Sequence, residues 1–307
     1  MAARFTVDDD PTEIVQFSFL DQEGKLTKSS LRSACLPPYP AKYYANGVIS
    51  LICLVVFLLW NYGIIPGTKM GFYCNDPLFS HKYRGDTVTS LALWLGLTLI
   101  VPALYYVIEI TRQNNCKRLF TMESFTEFYV YLKNYTIGLI LSEGLTEIAK
   151  TIVGEHRPHF FDTCRPDTNI NCTVGEYIID FTCTRTDLPY LDLVDASRSF
   201  PSGHSSGAWC GALFCAYIIH SRLPIHKTGT ALKLFMFALS MTFGLACSLT
   251  RITDRRHHWW DVLTGSIVGM LGAAFVIALT RRQVRLLRKK LSDEESDRKN
   301  KTEYIGV

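Results

Sequence analysis

"VISLICLVVFLLW", Val48 to Trp60, lies inside a stretch from Tyr43 to Thr68 that contains no charged residue. In helical form a run of this length crosses roughly 30 Å of hydrocarbon, and in water it would have no polar face to offer solvent. It decides for a membrane fold. The whole chain agrees: of 307 residues 48% are hydrophobic and only 20% charged, which is apolar for a soluble domain.

Comparable runs follow at "TVTSLALWLGLTLIVPALYYVI" (Thr87 to Ile108), around "AWCGALFCAYIIH" (Ala208 to His220), at "LFMFALSMTFGLACSLT" (Leu234 to Thr250) and at "VLTGSIVGMLGAAFVIALT" (Val262 to Thr280). A weaker run, Phe128 to Val153, is apolar in bulk but carries Lys133, Glu143, Glu147 and Lys150. Ionisable groups inside a membrane span mark function. The expected fold is therefore all-α and polytopic, with six transmembrane helices in one domain over residues 43–285. Tails of residues 1–42 and 286–307 flank it, and the longest connection runs from about 154 to 205. There is no internal repeat, low-complexity block or Gly/Ser linker.

Basic residues are retained on the cytoplasmic side of short loops. "RRQVRLLRKK" (Arg281 to Lys290) places the C-terminus in the cytosol, and an even number of spans places the N-terminus there too. The turns holding Arg112, Lys117 and Arg118, and Arg222 and Lys227, then also fall inside. The basic residues at 150–157 and 251–256 fall outside, against the rule, and need another explanation. The first residues lack the basic-then-apolar pattern of a cleaved signal peptide, so the first span is expected to act as the signal. A net charge of +4, concentrated beside a span, suits an anionic leaflet rather than nucleic acid. The polar end, "SDEESDRKNKTEYIGV", is expected to be disordered.

Under this topology Cys74, Cys164, Cys172 and Cys183 lie in outer loops, where oxidation is permitted; four thiols allow three pairings and the sequence does not choose. Asn171-Cys172-Thr173 is a glycosylation sequon in the long outer loop. The triplets at Asn134 and Asn300 lie in a span and in the cytosolic tail.

Three short motifs fall on that same outer side. In "KTIVGEHRPHF", Lys150 and Arg157 are two helical turns apart, so both cations face one way if the helix continues to Pro158. Snorkelling to lipid headgroups is the other reading of the pair. In "SFPSGHSSG", Ser202, Gly203 and His204 open a helix whose free N–H groups and dipole can cradle an anion; Ser202 as a plain N-cap is the alternative. In "RITDRRHHWWDVLTG", His257 and Asp261 are four apart, so a carboxylate can orient one imidazole and turn its other nitrogen to a substrate. Trp259 and Trp260 also suit an interfacial aromatic belt.

Lys150-x6-Arg157-Pro158, Pro201-Ser202-Gly203-His204 and Arg251-x5-His257-x3-Asp261, in this order, resemble the three-part signature of the type 2 phosphatidic acid phosphatase superfamily. The six spans, "FYCNDP" (Phe72 to Pro77), "TEIAK" and "HHWWDVLTG" are more narrowly similar to the lipid phosphate phosphatases, also called phospholipid phosphatases. The resemblance covers about residues 43–285.

It implies metal-independent hydrolysis of lipid phosphate monoesters: phosphatidate, lysophosphatidate, sphingosine 1-phosphate and ceramide 1-phosphate, which the sequence does not rank. Lys150, Arg157, Arg251, Ser202 and Gly203 would bind phosphate. His257 would be the nucleophile, with adjacent His258 as its rival, Asp261 its orienter and His204 the acid and base. No metal-binding carboxylate cluster or Walker-type loop is visible, and no cofactor is implied. The expected partners are lipid phosphates and the bilayer, at the plasma membrane with the site facing outward, in a role in lipid signalling; a homo-oligomer is left open. Glu143, Glu147 and Lys150 form one stripe of the third span, either holding the lysine or joining helices through buried hydrogen bonds. Two other classes remain. A catalytically silent homologue would act by interaction, and a transporter would release no phosphate.

Overall fold

The computed structural model describes residues 67–113, 121–170 and 172–305, with isolated positions between 48 and 65. The chain divides into two units, Met1–Val56 and Phe57–Val307, and the second holds every element named below. The first expected span, Tyr43 to Thr68, falls largely outside the described residues, as does Asn171.

The helices, in order, are α1 (Ser90–Arg112), α2 (Met122–Val153), α3 (Phe160–Cys164), α4 (Tyr190–Asp195), α5 (Gly203–Arg222), α6 (Ile225–Thr253) and α7 (Trp259–Ile305). Among the described residues three are long and apolar enough to cross a membrane: Ser90–Arg112, Ile225–Thr253 and Trp259–Asp297. The expected spans at α2 and α5 are helices of 32 and 20 residues, at least about 30 Å long. α2 carries the charges that weakened it in the sequence, and α5 is rich in small and hydroxyl residues. Thr89, Thr121 and Ser202 cap α1, α2 and α5 by accepting from the N–H groups of Ala92, Ser124 and Ser205.

α5 is central, packing against α1, α2, α6 and α7, while α2 also runs along α7. On α1 the inward stripe Leu93, Leu97, Val101, Tyr105 and Ile108 is buried, whereas outward Leu91, Leu95 and Leu99 are 70%, 49% and 62% exposed. A helix apolar on both faces has one face for the core and one for lipid.

Small residues let α5 and α7 touch backbone to backbone. A Cβ added at Gly265 or Gly269, four apart in "GSIVG", would overlap the carbonyl oxygens of Ser202 and Ser206. This small-xxx-small contact pins the start of α5 against α7. Gly269→Leu is expected to cost roughly 1–3 kcal/mol, read as a lower melting temperature in detergent.

At the opposite end of the bundle, buried Arg222 donates to Glu109 (2.7 Å) and Glu127 (2.5 Å), and Arg288 of α7 donates to Glu127 (2.7 Å). The Arg222 guanidinium lies 5.1 Å from the Tyr105 ring centroid and 5.3 Å from that of Tyr131. Arg222, expected as a basic residue of a cytoplasmic turn, is thus a buried helix clamp.

α7 corrects the expected disorder of the tail, since it continues as helix to Ile305. From Arg281 to Ile305 the sequence has no Gly or Pro and is dense in Arg, Lys, Glu and Leu, all good helix formers, and Arg288 ties it to α2.

Over the other end sits a small cap. Phe72–Tyr73 (β1) pairs antiparallel with Tyr177–Ile178 (β2), and Phe72, Phe160, Phe161 and Phe181 cluster beneath. The disulfides are Cys74–Cys172 and Cys164–Cys183, which selects one of the three pairings.

Candidate functional site

The three motifs meet. A cavity of about 150 Å³ is lined by Lys150, Arg157, Gly203, His204, Arg251 and His257, which come from the ends of α2, α5 and α6 and from the turns that follow α2 and α6. Ser202 and Asp261, both fully buried, stand behind its wall.

α2 stops earlier than Pro158 suggested. Gly154, at φ 63°, is a left-handed C-cap whose N–H returns to the Lys150 carbonyl, and a side chain there would strike the Thr68 carbonyl. Lys150 is therefore on the last turn, donating to Glu147 at 2.7 Å, whereas Arg157 lies in the loop beyond. The shared-face expectation fails for Arg157, and a loop brings it to the cavity instead. Its guanidinium donates to the Asp195 carbonyl (2.7 Å) and carboxylate (2.5 Å) and to the Arg256 carbonyl (3.2 Å).

Ser202 does act as a cap: its Oγ accepts from Ser205 N–H at 3.4 Å, and its own N–H donates to the Asp261 carbonyl at 3.0 Å. The N–H groups of Gly203 and His204, in the first turn, have no intrahelical acceptor, and both residues line the cavity. His204 Nε2 sits 3.1 Å from the Val88 carbonyl, which favours Nε2–H and leaves Nδ1 as the free ring nitrogen.

Asp261 organises the third motif. As the third residue of α7 it accepts from the His258 N–H at 2.9 Å, half of a capping box, and from Ser199 Oγ at 2.5 Å. Its Oδ2 lies 3.6 Å from His257 Nδ1 and 3.4 Å from His258 Nδ1. Distance does not choose between the histidines. Position does, because His257 lines the cavity and His258 does not. Burial, then the positive charge of Arg157, holds His257 well below the usual imidazole range, so its ring is neutral.

Sequence reasoning missed several participants. Arg198 and Arg256 also line the cavity, making five cations there against the carboxylates of Glu143, Glu147 and Asp195. Glu147 bridges Lys150 and Arg198, to which it is 2.9 Å. Asp86 holds Arg251 (2.7 Å) and Arg256 (3.0 Å). Burial opposes the charge of Asp195, but Arg157 and Arg256 outweigh it and keep its carboxyl below the usual range. Ser199 was the missing hydroxyl. Its closeness to "PSGH" was the available signal, as was that of Arg198; the pairing of Asp86 and Asp195 with distant arginines left none.

His156, beside Arg157, is fully buried, stacked on Phe160 at 3.8 Å, with Nε2 2.6 Å from the Met70 carbonyl. Burial pushes its pKa down from 6.5 to about 4. The unfolded chain thus takes up a proton near pH 6.5 that the native fold refuses until about pH 4. Stability contributed by the neutral ring is complete above the unfolded value and is lost as pH falls through that window, about 3 kcal/mol by its lower end. Melting temperature measured from pH 7.5 to 4.5 is expected to fall, with a shallower slope in His156→Gln.

Comparison with known proteins agrees with the motifs. The model of the PAP2 superfamily matches residues 131–285. Phospholipid phosphatase 2 of Homo sapiens is 32% identical over 240 residues, covering 75% of this chain and 81% of that protein. Phospholipid phosphatase homolog 1.2 homolog of Caenorhabditis elegans is 32% identical over 216 residues, covering 66% of this chain and 62% of its own. A Drosophila melanogaster relative is 30% identical over 252 residues, covering 75% of this chain and 66% of its own. The chain thus spans less than two thirds of the length of the worm and fly relatives. No solved structure matches.

Proposed function

Because the chain belongs to the PAP2 superfamily, we propose that it hydrolyses lipid phosphate monoesters at the outer edge of a bilayer. The observation that carries this is a cavity in which two imidazoles, His204 and His257, and five cations face the same small space. A phosphoryl group in transfer spreads negative charge over its equatorial oxygens, so fixed cations lower its energy most.

In the proposed reaction His257 Nε2 attacks phosphorus while Asp261 and Ser199 hold Nδ1. His204, once protonated at Nδ1 beside the bound dianion, gives that proton to the departing alkoxide as the P–O bond to the lipid breaks. Water then attacks the phosphohistidine, passing its proton to His204 as phosphate leaves and His257 returns to neutral. Lys150, Arg157, Arg251 and the N–H groups at the start of α5 hold the oxygens throughout. Arg198 and Arg256 add to that field. The scheme needs no metal, because protein cations take the place of one.

A lipid substrate is supported by a second cavity of about 390 Å³, apolar, between α1, α5 and α6. The phosphate cavity touches α1 at Ser90, Leu93 and Trp94, and the apolar one continues on the same helix at Gly96, Leu97 and Ile100. An acyl chain would follow that path. Phosphatidate, lysophosphatidate, sphingosine 1-phosphate and ceramide 1-phosphate all offer such a chain.

The proposal includes six spans, both termini in the cytosol, glycosylation at Asn171 and the plasma membrane as location. The two disulfides on the site's side favour an oxidising face. The test is purified protein in micelles with phosphatidate and EDTA. Metal-independent phosphate release is the expected result. No release from any of the four lipids would favour the silent homologue.

A further inference from the structure

Behind the cavity wall, His258, Glu155 and Asp261 bring three donor atoms within 4.8 Å of one another. His258 Nδ1 is 3.6 Å from Glu155 Oε1 and 3.4 Å from Asp261 Oδ2. These are too long for good hydrogen bonds, yet they fit the edges of a tetrahedron around a metal ion, about 3.4 Å for bonds of about 2.1 Å. His258 is 8% exposed, and among the described residues neither of its ring nitrogens has a hydrogen-bond partner. Asp261 Oδ1, fully buried, has none either. Buried polar atoms left unpaired are costly and rare, and of these three His258 Nδ1, which faces both carboxylates, calls for a ligand.

The ring's aim is fixed. It stacks on Trp260 at 4.6 Å and 3°, with Phe79 edge-on at 6.0 Å. Trp260 Nε1 donates to Glu155 at 2.9 Å and so orients that carboxylate. We propose that His258, Glu155 and Asp261 form a site for a divalent transition metal, zinc above all, with its fourth position open to water. One imidazole and two carboxylates match zinc's donor preferences, and so small a ligand set does not suit calcium. Glu155 is half-buried and the most accessible of the three. The cluster was invisible in the sequence because Glu155 lies about a hundred residues from the other two.

The consequence for activity rests on the proposed function. Asp261 Oδ2 is the atom facing His257 Nδ1, so a zinc ion on Asp261 draws away the charge that orients the nucleophile. The bound metal is an inhibitor, and a chain that needs no metal for catalysis acquires one for control.

The experiment uses the full-length protein, without a histidine tag, in detergent micelles. Co²⁺ is titrated and its visible absorption followed, then Zn²⁺ is added as competitor. The expected result is one Co²⁺ per chain, displaced by Zn²⁺, with affinity reduced at least about tenfold in both Glu155→Gln and His258→Gln. Glu155→Gln keeps an acceptor for Trp260, and its melting temperature should match that of the parent. Phosphate release should fall on adding Zn²⁺ and recover with EDTA, its inhibition midpoint rising by the same factor in Glu155→Gln. Absence of a saturable band, or binding unaltered in both variants, overturns the site. Stoichiometric binding with undiminished phosphate release overturns the inhibitory role alone. Because cobalt absorption needs no turnover, failure of the site and failure of the proposed hydrolysis are read separately.

Discussion

His257→Ala is expected to reduce phosphate release from a lipid phosphate by roughly 10⁴-fold or more, with His257→Gln, closer in volume, equally inactive. The reason is that neither side chain can form a bond to phosphorus, while the five cations of the cavity remain and still bind the substrate. The loss should therefore appear in kcat with KM little changed. Asp261→Asn and Ser199→Ala keep the nucleophile but loosen its orientation, so they should fall between these variants and the parent. His258→Gln tests the choice between adjacent histidines. Since His258 does not line the cavity, its loss should leave release within about tenfold, far short of the effect of losing the nucleophile.

The second large effect is at the far end of the bundle. Glu109→Leu is expected to cost about 3–5 kcal/mol of stability, because Arg222 is buried and loses two of its acceptor contacts. A guanidinium cannot escape by losing its proton. The reciprocal change, Arg222→Met, should cost less. Glu109 then keeps Arg112 and Glu127 keeps Arg288, and a stranded carboxylate can take up a proton. Chemical denaturation in mixed micelles would measure both. A larger loss from Arg222→Met than from Glu109→Leu would count against this ordering of the buried charges.

What the sequence displays and what it hides divide along the range of the interaction. The outward and inward faces of α1, the caps at Thr89 and Ser202, and the four-residue step from His257 to Asp261 are all local, and local patterns were readable. The end of α2 was readable too, had Gly154 been preferred to Pro158 as the stop signal: glycine supplies the left-handed cap, and proline lies four residues further on. "GSIVG" was likewise visible as a close-packing motif before its partner on α5 was known. Arg157, Arg251 and Arg256 are different. Apart from Asp254, three residues after Arg251, their carboxylate partners, Asp195 and Asp86, lie tens to more than a hundred residues away, and only the folded chain brings them together. The pairing of Cys74 with Cys172, across 98 residues, is hidden for the same reason. The tail's polarity points to disorder, yet its Glu, Arg and Lys are good helix formers and it continues a helix that Arg288 anchors upstream.

These interactions converge on one physical claim, that separate helix ends and loops hold a single phosphoryl group against His257. Orthovanadate, which adopts the geometry of a phosphoryl group in transfer, tests it directly. The measurement is a cryo-electron microscopy structure of the full-length protein in lipid nanodiscs with vanadate added. One vanadate bonded to His257 Nε2, with Lys150, Arg157 and Arg251 within hydrogen-bonding reach of its oxygens and His204 beside its apical oxygen, is the expected result. Vanadate bound elsewhere, or those side chains turned toward different spaces or opposite faces of the bilayer, would contradict it.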